Sequence, residues 1–183
     1  MGRWQSGTPE RLADAALTLI SERGFEQTTA AEIAAAAGLT ERTFFRYFAD
    51  KKEVLFFGQD LFVESVLTEV RTALSTSSPA TALEEAFVEV ATRLAGRGAF
   101  MAERQRVLDA DPALRERELL KLDRLAQAVS AELVSALPED QAQVLAEAAV
   151  AAFKVGFARG HATPEHLPQS IRAAFAALRA TVQ

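Results

Sequence analysis

The chain has 183 residues, is 49% hydrophobic and 25% charged, and carries 20 Lys and Arg against 25 Asp and Glu, a formal net charge of −5. This composition excludes a disordered chain, and the absence of Cys excludes disulfides, thiolate metal sites and Cys nucleophiles. The acidic total argues against a nucleic-acid binder only as an average, because a partner senses charge within a Debye length of roughly 8–10 Å.

Sustained period-2 alternation is missing, and apolar residues recur every three to four positions in Ala- and Leu-rich segments, which predicts an all-α fold. Thr8-Pro9, Ser78-Pro79, Asp111-Pro112 and Thr163-Pro164 each pair a polar cap with a Pro at the first helical position. The first helix is expected from Pro9 to about Arg23, with Leu12, Ala15, Ala16, Leu19 and Ile20 on one face and Gly24 as a left-handed cap. A short second helix follows Thr29, turns Ile33, Ala34 and Ala37 inward and stops at Gly38; a third runs from Thr40 to Phe48. A long connecting helix is expected from Lys51 to Ser75, ended by Ser75-Thr76-Ser77-Ser78-Pro79. Further helices are placed at about 80–95, 99–109, 112–136, 139–159 and 166–182. The expected domains are 1–50 and 51–183. The first residues, Met1 to Ser6, lack the apolar core of a signal peptide, and no run of about 18 apolar residues could span a membrane, so a cytoplasmic location is expected.

Residues 29–48 read as helix, tight turn, helix, the pattern of a helix-turn-helix. Successive steps of about 100° set Phe44 and Phe48 on one side of the third helix and centre Arg42, Arg46 and Thr43 on the other. That outer face has the chemistry of a major-groove reader. Arg42 can donate two bonds to guanine, Thr43 can meet a base edge or a thymine methyl, and Glu41 can accept from cytosine. Over residues 40–52, Arg42, Arg46, Lys51 and Lys52 stand against Glu41 and Asp50, a local charge of +2. Two exposed arginines alone are more often plain solvated groups. Phe45 and Tyr47, two aromatics beyond those the core needs on so short a helix, favour an interface.

The run Gly24-Phe25, Thr28-Thr29, Ile33-Ala34, Ala37-Gly38-Leu39-Thr40, Thr43-Phe44-Phe45-Arg46-Tyr47-Phe48 and Lys51-Lys52-Glu53-Val54-Leu55 resembles the DNA-binding domain of the TetR family of transcriptional regulators over about residues 9–56. The resemblance implies that Thr29 caps the second helix near a phosphate, that Thr40 opens the recognition helix, and that Glu41, Arg42 and Thr43 approach base edges. Phe45 and Tyr47 stand at backbone-contacting positions, Arg46 on the same outer face, and Lys51 at a phosphate-binding lysine. Phe45 departs from the usual Tyr and leaves only apolar contact with sugar or a thymine methyl. Ala31 cannot read a base through its side chain. Arg3 and Trp4 are candidates for an arm reaching the backbone or minor groove.

The resemblance also implies a helical body that dimerises and binds a small effector, giving a ligand-responsive repressor on a palindromic operator in double-stranded DNA. Two apolar stripes are candidates for a homodimer through the last two helices: Leu167, Ile171, Ala174, Phe175, Leu178 and Val182, and Val144, Leu145, Ala148, Ala149, Ala152 and Phe153. Each is first of all candidate core. Phe87, Arg93, Phe100, Met101 and Arg104 could line an effector pocket, but each reads more simply as packing or solvated charge, and no effector-binding residue is assigned. His161 and His166 do not share a helix face, so no metal is expected. No phosphate loop or HExxH motif occurs, so neither an enzyme nor a cofactor is expected. The alternative is a helical interaction protein without specific DNA binding.

Overall fold

The computed structural model describes residues 7–161 and 163–181, and every regular element among them is a helix. In chain order these are α1 (Thr8–Arg23), α2 (Ala30–Ala36), α3 (Glu41–Tyr47), a 3₁₀ turn (Glu53–Phe56), α4 (Gln59–Leu74), α5 (Pro79–Ala95), α6 (Gly98–Ala110), α7 (Pro112–Leu133), α8 (Glu139–Gly160), a second 3₁₀ turn (Pro164–His166) and α9 (Leu167–Thr181). Ser78 caps α5 by accepting from the Thr81 N–H, and Asp111 Oδ1 accepts from the N–H groups of Ala113 and Leu114 at 2.8 and 3.1 Å. Thr8 does not cap α1. It lies inside the helix, and Gly7 precedes it without a side-chain bond. Arg3, Trp4 and Val182 lie outside the described residues.

The uninterrupted helix expected from Lys51 to Ser75 is not formed. Val54, Leu55 and Phe56 lie instead in a 3₁₀ turn, and all three are buried. Asp50 Oδ1 accepts from the Glu53 N–H at 3.0 Å to start it, and Gly58, at φ 86°, lets the chain turn into α4.

The chain forms two compact units, the first within Met1–Gln59 and Glu103–Arg115, the second within Asp60–Ala102 and Glu116–Gln183. The first therefore packs beyond residue 50, because the 3₁₀ turn belongs to its core with Leu12, Ala16, Leu17, Ile20, Ile33, Ala34 and Phe44. Arg104 ties residues 103–115 into this unit: its Nε donates to the Leu55 carbonyl at 2.7 Å and its guanidinium lies 5.1 Å from the Phe56 ring centre.

In the second unit, α4, α5, α7, α8 and α9 share one core, with Phe87 stacked on Phe153 at 5.1 Å and Phe175 beside it at 5.9 Å. Seven of the twelve candidate dimer-stripe residues, Leu167, Ile171, Ala174, Phe175, Ala149, Ala152 and Phe153, are buried in this core within one chain. Helices α8 and α9 meet closely because Gly156 and Gly160 leave room: a Cβ on Gly156 would stand 2.7 Å from Ile171 Cα, and one on Gly160 2.9 Å from Leu167 Cα.

Candidate nucleic-acid interface

The second helix is fixed at its start by a reciprocal cap. Thr29 Oγ1 accepts from the Glu32 N–H at 3.2 Å, while the Glu32 carboxylate accepts from the Thr29 N–H at 2.9 Å and from its hydroxyl at 2.8 Å. The Thr29 hydroxyl and N–H, with a smaller contribution from Arg23, hold the Glu32 pKa below the ordinary carboxylate value. The Thr29 hydroxyl hydrogen is thus engaged within the chain. The turn after α2 uses Gly38 at φ 68°, and the N–H groups of Gly38 and Leu39 donate to Ala35 and Ala34 at 2.9 and 2.8 Å. Arg11 of α1 donates to the Ala37 carbonyl and so clamps that turn from the neighbouring helix. The sequence gives little sign of this, since the partner is a backbone carbonyl 26 positions away.

Thr40 opens α3 by accepting from the Thr43 N–H at 3.2 Å, and the two threonine hydroxyls stand 3.0 Å apart. Phe44 is fully buried, with Phe48 5.4 Å from it, so α3 is seated by its inner face. Turned outward are Glu41, Arg42, Phe45 and Arg46, with Thr43 half-buried at the edge. Thr40, Arg42, Thr43, Phe45 and Arg46 together line an open depression of about 470 Å³. Among the described residues Arg42 has no ion-pair or hydrogen-bond partner. Arg46 is engaged: it donates to the Tyr47 hydroxyl at 3.3 Å and its guanidinium lies 5.0 Å from that ring's centre. Phe45 is 50% and Tyr47 43% exposed, a costly placement for two aromatics unless something covers them.

Thr29 and Lys51 do not line the depression. Lys51 is half-buried; its Nζ donates to the Phe25 carbonyl at 2.6 Å and sits 4.0 Å from the Phe25 ring centre. It braces the turn between α1 and α2, where Thr28 is buried and donates to the Gly24 carbonyl at 2.9 Å.

The body's other polar candidates have structural partners. Arg93 pairs with Glu69 and Glu89 and donates to the Ser65 hydroxyl at 3.1 Å. His161 stacks on Phe157 with its Nδ1 2.9 Å from the Phe157 carbonyl oxygen, and no group of three potential metal ligands occurs among the described residues.

Residues 12–56, the stretch that builds this helix-turn-helix, match the profile of the bacterial regulatory proteins of the tetR family. Over these residues the chain is similar to the TetR family. It is 41% identical over 54 residues to the protein MftR of Mycobacterium tuberculosis, covering 30% of this chain and 27% of MftR. It is 34% identical over 87 residues to the HTH-type transcriptional regulator TcmR of Streptomyces glaucescens, covering 48% of this chain and 38% of TcmR. The alignments thus span well under half the length of these curated relatives. The likeness extends further in three dimensions. The TetR-family transcriptional repressor FadR of Thermus thermophilus, solved in complex with lauroyl-CoA, superposes with a TM-score of 0.56 at 25% identity over 93% of this chain and 92% of that one. Among the described residues no helix is long and apolar enough to cross a membrane.

Proposed function

We propose that this chain is a DNA-binding transcriptional regulator of the ligand-responsive, repressing kind, acting as a homodimer on a palindromic operator. The observation that carries the reading is α3 itself: fully seated by Phe44, it turns an unpartnered Arg42 and an exposed Phe45 outward around an open depression. In this reading Glu41, Arg42 and Thr43 meet base edges, Phe45 meets sugar or a thymine methyl, and Thr29, Thr40, Arg46, Tyr47 and Lys51 meet the backbone or its margins. Residues 1–50, with Lys51 at their margin, bind DNA, and the rest of 51–183 binds the effector and dimerises.

The outer faces of the last two helices support dimerisation better than the buried stripes do. On α8, Val144 is 69% and Val155 42% exposed, and Ala151 and Ala158 share their side. On α9, Ala173, Ala176, Ala177 and Ala180 are exposed. Small apolar side chains at three- and four-residue spacing permit close helix packing, so two copies of this pair could form a four-helix interface. A palindromic operator asks its two recognition helices to stand about one DNA turn, roughly 34 Å, apart. The lauroyl-CoA complex of the Thermus FadR is a precedent for a small effector. An effector that favours a dimer of different spacing lowers DNA affinity by the factor that DNA lowers effector affinity.

Selection of genomic fragments by the purified full chain tests this. Enrichment of fragments sharing an inverted repeat, released by an added small molecule, is the expected result. Binding without any enriched sequence would overturn it in favour of a helical interaction protein.

A further inference from the structure

Building on the DNA-binding reading of α3, we propose that this helix identifies its site through thymine 5-methyl groups, read by the Phe45 ring and the Thr43 methyl, with Arg42 reading guanine between them.

The polar groups of the outer face point this way once their partners are assigned. The Thr43 hydroxyl lies 3.0 Å from that of Thr40, which also accepts from the Thr43 N–H. Turning that hydroxyl toward a base would give up its contact with Thr40, whereas keeping it there leaves the Thr43 methyl as the group offered to a base. Arg46 is drawn to the Tyr47 hydroxyl and ring. Arg42 keeps its fork of donors for guanine O6 and N7.

Phe45 supplies the other half. Its ring meets buried Phe44 edge-on, with centres 5.3 Å apart and planes at 81°, so it is held in place although half exposed. At about 100° per residue, Phe45 lies roughly 60° to one side of Arg42 and Thr43 roughly 100° to the other. Both line the same depression as Arg42. The one apolar group that a standard base pair shows in the major groove is the thymine methyl; guanine, cytosine and adenine offer only donors and acceptors there. Two apolar groups flanking a guanidinium therefore match a guanine bordered by thymines.

The test uses the full chain and an operator obtained by fragment selection, prepared with deoxyuridine in place of thymidine in both half-sites, which removes only the methyl groups. Fluorescence anisotropy at fixed salt compares the two duplexes. The wild type should bind the uracil operator about fourfold more weakly for each contacted methyl, the worth of one buried carbon. Phe45→Ala should lose most of this discrimination, and Thr43→Ser, which keeps the hydroxyl pair, should lose its smaller share. Equal binding of both operators by the wild type would overturn the proposal and needs no variant to fold. Full discrimination retained by Phe45→Ala and Thr43→Ser would also overturn it. Failure to select any operator is a separate result that would remove the DNA-binding reading itself.

Discussion

Replacing Gly156 by Ala should destabilise the second unit, although Ala is the better helix former. The added Cβ would sit 2.7 Å from Ile171 Cα, 2.8 Å from Ile171 Cδ1 and 2.9 Å from the Ser170 carbonyl oxygen. Ordinary contact between carbons begins at about 3.5 Å, so α9 would have to withdraw by nearly 1 Å. No rotamer change relieves a clash with backbone, and such overpacking costs about 1–3 kcal/mol. The helix gains back about 0.5–1 kcal/mol because Ala is less flexible than Gly when unfolded. A net loss of about 1–2 kcal/mol remains, which in a chain of this size lowers the melting temperature by about 2–8 °C. Circular dichroism during heating measures this, with Gly96→Ala as the control. There an added Cβ meets only the Arg93 carbonyl oxygen at 3.7 Å, and stability should stay within about 0.5 kcal/mol. A Gly156→Ala variant as stable as the wild type, or more so, would refute the argument, because helix propensity would then be the larger effect and the α8–α9 crossing would tolerate a side chain.

Much of the architecture was legible because it is local. Periodicity fixed the helices, and Ser78, Asp111 and Thr29 act as caps where short polar residues precede a helical run. The connecting helix is where periodicity misleads: Val54, Leu55 and Phe56 suit a helical period as well as a 3₁₀ turn, and the break lies at Gly58, whose φ of 86° no continuous helix adopts. The apolar stripe of α9 was legible as a stripe but not as to what it faces. Ile171 and Phe175 serve the chain's own core, and the side left open carries Ala173, Ala176, Ala177 and Ala180, which lie off the stripe that the larger residues mark.

The candidate interface divides along the same line. Which residues of α3 point outward follows from the 3.6-residue turn, and Thr40, Arg42, Thr43, Phe45 and Arg46 do gather there. Which of their polar groups are already engaged depends on distances that spacing cannot supply. The Thr40–Thr43 pair, the Arg46–Tyr47 stack and the Lys51 bond to Phe25 each change what the residue has left to offer. Arg11 escaped notice altogether, because a side chain bonded to a distant backbone carbonyl leaves no pattern in the sequence.

Arg11→Ala should weaken binding to all DNA sequences alike while base preference persists, since it frees the turn ahead of α3 without touching the reading face; altered preference in a fragment selection would contradict this. The bond to the Ala37 carbonyl is charge-assisted, so about 1.5–3 kcal/mol of stability should go with it in urea unfolding. Glu32, whose pKa is lowered chiefly by the Thr29 hydroxyl, contributes stability above its unfolded pKa that is lost as the pH falls through its folded one. The stability difference between wild type and Glu32→Gln should therefore shrink on acidification below the usual carboxylate range, and a constant gap would exclude that role. Val155→Glu places a charge on the exposed face of α8 and should yield monomers in sedimentation with weak, unspecific DNA binding; an unchanged dimer would move the interface elsewhere. Lys51 has two claims on it. One of its three ammonium donors is used by the Phe25 carbonyl, which leaves two for a phosphate at the margin of the interface. Lys51→Met should therefore reduce the slope of log affinity against log salt by about one per subunit. Affinity lost at an unchanged slope would make Lys51 a brace for the α1–α2 turn and leave the phosphate to another cation.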